Sequence, residues 1–280
     1  MRKMMNLLLM SILAISLAAC GSNSTKDAGE TNSGSPGNDS GVPTASELMD
    51  KSSEASKELK SFTLTSSVIQ NVDIEANGQK QTQDINMDMT QNIVMNPMSI
   101  YQEIKVTMPN IQDTTIKQYI TPDGVYTNTG DAAWMKLSDS EAAPILEELK
   151  NSTKIDQQLT SLEPYTNELK VSEEGDTYVL TADLSGDSMK ELAGTLMNQA
   201  GGGSADTQAL LEQMNIDSMK VTSVINKSTY LPTQATVDMT MSFEQDGQQV
   251  SMKMKMNSTF SKHNEIDKIE IPEEVLSSAQ

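Results

Sequence analysis

A single cysteine, Cys20, rules out any disulfide within the chain, so a packed core must hold the fold. A single histidine, His263, leaves a Ser-His-Asp or Cys-His centre nowhere else to rest. It sits between Lys262 and Asn264, past the last strand-like run, and is expected on the surface. A single arginine, Arg2, excludes the bidentate guanidinium clamps that recognise phosphates and carboxylates. Positive charge is scarce overall, and the formal net charge is −19. Nucleic acid needs Lys and Arg to neutralise its phosphates, so it is not an expected partner. The chain has no Gly-x-Ser-x-Gly elbow, no phosphate loop, no dinucleotide fingerprint and no Ca²⁺ loop. Pairs such as Glu147/Glu148, Glu173/Glu174 and Glu273/Glu274 arise by chance in so acidic a chain, and neighbours on a helix do not share a face. No enzyme activity, cofactor or metal is therefore expected.

The N-terminus is better defined. Arg2 and Lys3 precede an apolar stretch from Leu7 to Leu17, interrupted only by Ser11 and Ser16. Small Ala18 and Ala19 follow, then Cys20. This is the layout of an export signal, and it is shorter than the roughly 20 apolar residues of a spanning helix. Leu17-Ala18-Ala19-Cys20-Gly21 resembles the lipobox of bacterial lipoproteins. The resemblance implies that residues 1–19 are a signal peptide and that the Cys20 thiol carries diacylglycerol. It also implies that the new N-terminus is acylated, with a chain such as palmitate, or left free. Loss of Arg2 and Lys3 would leave the remainder two units more acidic. The expected location is the extracytoplasmic face of a cell membrane, held there by the lipid anchor, with the membrane as partner through Cys20. Two acyl chains at ~0.8 kcal/mol per buried methylene anchor almost permanently.

Residues 20–43 hold the lipidated cysteine and a run of Gly, Ser, Asn, Asp and Thr with almost no apolar surface. Such a segment cannot offset its ordering entropy and reads as a flexible tether, with a reach on the order of 25–30 Å. The rest, residues 44–280, reads as one domain. Thr44-Ala45-Ser46-Glu47 is a capping box, and Ala45, Leu48, Met49, Ser52, Ala55 and Leu59 recur at helical spacing to about Lys60. The period then falls to two. Phe62, Leu64, Val68, Val72 and Ile74 share one parity, and Ile85, Met87, Met89, Ile93 and Met95 share another beyond the Asn77-Gly78 turn. Strands follow through Ile100–Met108, Ile116–Ile120, Val125–Thr127 and Trp134–Leu137. Ser138-Asp139-Ser140-Glu141 caps a second helix, and residues 155–163 and 188–199 read as helical. A hairpin turns at Glu174-Gly175, and Gly201-Gly202-Gly203-Ser204 must be a loop. Long strands return from Val221 to Phe260 around Asp246-Gly247. A last helix is expected to start with Pro272 in its first turn.

Methionine is the surplus residue, with 20 in the chain. Met239, Met241, Met252, Met254 and Met256 fall on one face of one hairpin, with Thr240, Ser242, Lys253 and Lys255 opposite, and Met87 and Met89 take comparable places on an earlier strand. Three readings stand. The stripe is the core side of a half-buried sheet, or the deformable wall of an apolar cavity, or a soft-metal site. No histidine or cysteine accompanies it, which weighs against metal.

The order of helix, antiparallel meander, helical insertion and further hairpins resembles the LolA/LppX-type lipoproteins. It is closer still to a group of Gram-positive surface lipoproteins. The carrying residues are the Cys20 lipobox, Asp123-Gly124-Val125-Tyr126 followed by Trp134-Met135-Lys136-Leu137, and Thr229-Tyr230-Leu231-Pro232-Thr233. The resemblance implies an α+β fold, a strongly curved antiparallel β-sheet forming a half-open barrel with helices packed on its concave side. It implies binding or carrying of a lipid or other hydrophobic ligand, with Met87, Met89, Met239, Met241, Met252, Met254 and Met256 as candidate cavity lining. The alternative is a non-catalytic structural or interaction module of the cell envelope with a filled core.

Overall fold

The computed structural model describes residues 41–280 except 77, 110, 131, 153–162, 185–187, 193–214, 246–247 and 280. Cys20, the signal segment, most of the tether, the 155–162 stretch and the Gly201–Ser204 loop lie outside the described residues. So does the helix expected at 188–199, beyond its first turn at 188–192.

Helix α1 (Ala45–Lys57) starts at the expected cap. The Thr44 hydroxyl accepts from the Glu47 N–H at 3.2 Å, and the Thr44 N–H donates to the Glu47 carboxylate at 2.9 Å. Two orphan donors are satisfied reciprocally. Those bonds and the threonine hydroxyl hold the Glu47 carboxyl below its usual range. Lys57 sits in the last turn, where the helix dipole favours a cation.

The strands are β1 (Ser61–Ala76), β2 (Gln79–Met95), β3 (Met98–Met108), β4 (Ile111–Thr121), β5 (Gly124–Thr129) and β6 (Met135–Lys136). After helix α2 (Asp139–Ser152) and a 3-10 turn (Glu163–Glu168) come β7 (Leu169–Glu174), β8 (Thr177–Leu184), β9 (Asn215–Asn226), β10 (Pro232–Gln245) and β11 (Gln248–Ser261). All eleven form one antiparallel sheet in the order β6-β5-β4-β3-β2-β1-β11-β10-β9-β8-β7. Two meanders, one from each half of the chain, are thus joined where the first strand pairs the last. Among the described residues β6 and β7 are the edges, and they do not pair with each other, so the curved sheet stays open rather than closing into a barrel. This is the α+β architecture that the sequence led us to expect. Gly78, at φ +74°, takes the left-handed conformation that the β1–β2 hairpin turn needs.

One face of the sheet carries the core. Strict pairing puts Val68, Met87, Val106, Met256, Val237 and Val221 in a single row across six strands. Both long helices lie on that side. Leu48 and Met49 of α1 pack with Leu169, Leu180, Ala182 and Met219. Ala142 of α2 packs with Phe62, Ile93, Ile100, Ile120 and Val125. Leu48 is fully buried, which is worth about 1.5–3 kcal/mol relative to exposure. The other face holds Lys253, Lys255 and ion pairs such as Lys80–Asp73 at 3.0 Å and Lys105–Asp113 at 3.1 Å. Exposed pairs of this kind contribute little.

The C-terminal segment covers part of that second face. Asn264 accepts from the Lys60 N–H at 2.6 Å through its side chain and donates its own N–H to the Ser61 carbonyl at 2.8 Å. Ile266 N–H donates to the Ser61 hydroxyl at 3.0 Å, and Ser61, Thr63 and Val94 are buried there although they point away from the core. The last helix, α3 (Glu273–Ser278), has Pro272 as its N-cap rather than in its first turn, and buries Val275. His263 departs from expectation. It is half-buried, not on the surface. Burial pushes its imidazole below the usual range, while Glu265 and the Pro232 carbonyl pull the other way. The reason is tertiary: the turn after β11 folds back against the start of β10.

Candidate functional site

The seven methionines singled out from the sequence all lie on the core face of the sheet. Met239 pairs Met254, and Met241 pairs Met252, across β10 and β11. β1 separates them from β2, where Met87 and Met89 pair Val68 and Ser66. Met87, Met89, Met254 and Met256 are buried, and Met239, Met241 and Met252 are half-buried. Met219 on β9, opposite Met239, extends the patch by one strand and was not among the candidates. It alternates in step with Val221 and Ile225, whereas the register shift past Ser218 puts Ile216 out of step on its other side. Lys253 and Lys255 point the other way and are exposed, so they do not interrupt the methionines in space. Thioethers are flexible and polarizable, and a wall made of them adapts to irregular apolar shapes.

A second row was missed. Gln91 on β2, Gln102 on β3, Gln118 on β4 and Thr127 on β5 stand side by side on the same core face. Gln91 Nε2 donates to Gln102 Oε1 at 2.7 Å, and Gln102 Nε2 donates to Gln118 Oε1 at 2.5 Å. Gln118 Nε2 reaches the Thr127 hydroxyl at 3.4 Å. Gln91 is 7% exposed and Gln102 2%. The row runs between two apolar clusters. Ile93, Ile100 and Ile120 lie on one side, while Met89 and Ile104 lie on the other. Beyond Met89, the Ser66 and Ser258 hydroxyls share a buried hydrogen bond of 2.8 Å. Farther along β1, Gln70 Nε2 lies 3.8 Å from Met254 Sδ. The sequence signal for all of these was polarity at core parity: Met89-Gln91-Ile93, Ile100-Gln102-Ile104 and Ile116-Gln118-Ile120 each set one amide where alternation calls for an apolar side chain.

None of the side chains in these rows ionises. Ionisable groups displaced from their ordinary values lie elsewhere, Tyr101 and Tyr119 among them. On the other face, burial and then Glu103 push the Tyr101 hydroxyl up to about 12. Burial and then Glu274 raise Tyr119. Tyr101, Tyr119 and Trp134 form an aromatic cluster there, with ring centroids 4.7 and 5.5 Å apart. Among the described residues no group of three or more His, Cys, Asp or Glu is placed to hold a metal ion. The core face offers neutral amides, hydroxyls and thioethers. Those groups bind by shape and hydrogen bonding rather than by charge.

Residues 44–280, from the α1 cap to the end of the chain, match a family described as a family of unknown function, DUF6612. The chain belongs to the DUF6612 family. No curated protein matches it. Solved structures with likeness to this DUF6612 chain include a DUF1329 family protein from Desulfovibrio piger. That one is 10% identical, covers 75% of this chain and 90% of its own, and has a TM-score of 0.22. Another is a β-barrel-like protein of the DUF1849 domain from Brucella abortus, 7% identical, covering 71% and 97%, with a TM-score of 0.23. The ywiB protein from Bacillus subtilis is 8% identical, covers 72% and 95%, and has a TM-score of 0.19. At TM-scores this low the likenesses carry no argument about ligand or function.

Proposed function

We propose that the chain is an extracytoplasmic lipoprotein, tethered through lipidated Cys20, whose sheet binds or carries a lipid or other hydrophobic molecule without catalysis, in the manner of LolA-like carriers. The observation that carries this reading is the methionine patch. Met239, Met241, Met252 and Phe243 are only half-buried on the core face of an open sheet. Apolar, adaptable and partly accessible surface beside a few fixed polar groups is what small-molecule sites are made of. The lipobox-like Leu17–Gly21 and the acidic, low-complexity tether support placement at the membrane with the domain held clear of it.

A second reading has its own observation. Met87, Met89, Met254 and Met256 are 4–6% exposed, as in a filled core. On that reading the chain is a structural or interaction module of the envelope. Native mass spectrometry of the protein taken from its own host membrane separates the two. A carrier retains a lipid beyond its covalent anchor, and organic extraction releases it. Bare protein mass, together with no saturable uptake of labelled lipid, would leave the module.

A further inference from the structure

The glutamine row ends in an unused acceptor. Gln102 and Gln118 each employ both ends of their amides, and Gln91 employs only its nitrogen. Gln91 Oε1 is buried and has no hydrogen-bond partner among the described residues. Its cross-strand neighbour is Leu64, fully buried, and Phe260 follows on β11. Met89 and Ile93 flank it along β2. The open end of a polar chain therefore faces hydrocarbon. A buried acceptor left unmade is a net cost to the fold, because its desolvation is not repaid. One polar spot stands nearby: Ser66, paired with Met89 on the same face, shares one hydrogen bond with Ser258 and keeps a second hydroxyl valence.

We propose that the ligand is an uncharged, hydroxyl-bearing amphiphile, seated with its hydroxyl on Gln91 at the end of the amide row and its hydrocarbon along the methionine patch. This rests on the lipid-binding reading above and narrows it to a class. A carboxylate or phosphate head finds no cation among these rows, and burying it unpaired is prohibitive. The net charge of −19 repels anions further. An ammonium head finds no carboxylate there either. A hydroxyl donates to an amide oxygen. An ether or ester accepts only and leaves the Gln91 oxygen unmade.

The test is equilibrium binding of three labelled C16 probes to the full mature chain: hexadecanol, hexadecyl methyl ether and palmitate. Hexadecanol is expected to bind about tenfold more tightly than the other two, the effect of one buried neutral hydrogen bond. Gln91→Met, which keeps length and removes the amide, is expected to erase the preference. Tyr101→Phe, on the opposite face of the sheet, is expected to keep it. Should Gln91→Met fail to fold, the alcohol-to-ether ratio in the wild type decides alone. Equal binding of all three probes, tightest binding of palmitate, or a preference that survives in Gln91→Met would overturn this inference and leave the lipid-binding reading standing. No binding of any probe would overturn both.

Discussion

At the scale of single residues, the methionines and glutamines of the core face obey different physics. Met254 is 6% exposed, between Met239 on one strand and Gln70 on the other. Its thioether is replaceable by another apolar group of similar volume, so Met254→Leu is expected to cost less than ~1.5 kcal/mol. Met254→Lys buries an unpaired ammonium beside neutral neighbours and is expected to unfold the domain or destabilise it severely. Chemical denaturation of the two variants against the wild type checks both, and a lysine tolerated at no cost would place this face in water. The methionines could be read from sequence because each is apolar at apolar parity. Gln91, Gln102 and Gln118 could not, because each alone looks like an interruption of its strand. Their meaning lies in a mutual hydrogen bond that only pairing creates.

At the scale of elements, local signals were the most legible. Both helices start where the sequence places them, but only Thr44 and Glu47 close a full capping box; the Glu141 N–H goes to the Ser138 carbonyl at 3.0 Å instead of its hydroxyl. At the second, the Ser138 N–H donates to the Glu141 carboxylate at 3.0 Å and its hydroxyl does so at 2.6 Å. Capping is settled within four residues, so no distant contact competes with it. Thr44→Ala is expected to cost roughly 1 kcal/mol, read as a lowered denaturation midpoint at unchanged slope, while Thr44→Ser is expected to cost far less. No change in Thr44→Ala would mean that packing of Leu48 and Met49 alone fixes the helix start. The strand periods were legible for the same local reason, and His263 was not. Its place depends on the turn at Lys262 and Asn264, whose φ angles of +52° and +61° swing the chain back over Ser61. Nothing within a few residues of His263 announces that contact.

At the scale of the whole molecule, the family match and the first helix cap begin at the same residue, Thr44. The segment before it has too little apolar surface to pack. A chain beginning at Thr44 is therefore expected to keep the thermal midpoint of one beginning at Gly21. A fall of more than a few degrees in scanning calorimetry would show that the tether docks on the domain. The sequence by itself determined the helix starts, the strand parities and the shared face of the methionines within each hairpin, because each is written in spacings of two to four residues. Only the tertiary structure decided that β1 pairs β11. That contact joins residues 61–76 to residues 248–261 and is the seam between the two meanders. Through it the methionines of β2 and of β10–β11 become one patch with Val68 and Gln70 between them. Pairing also lined up three separate glutamines into one hydrogen-bonded row. Register between strands is a non-local choice, made when whole apolar faces are buried together, and no single strand records its neighbour.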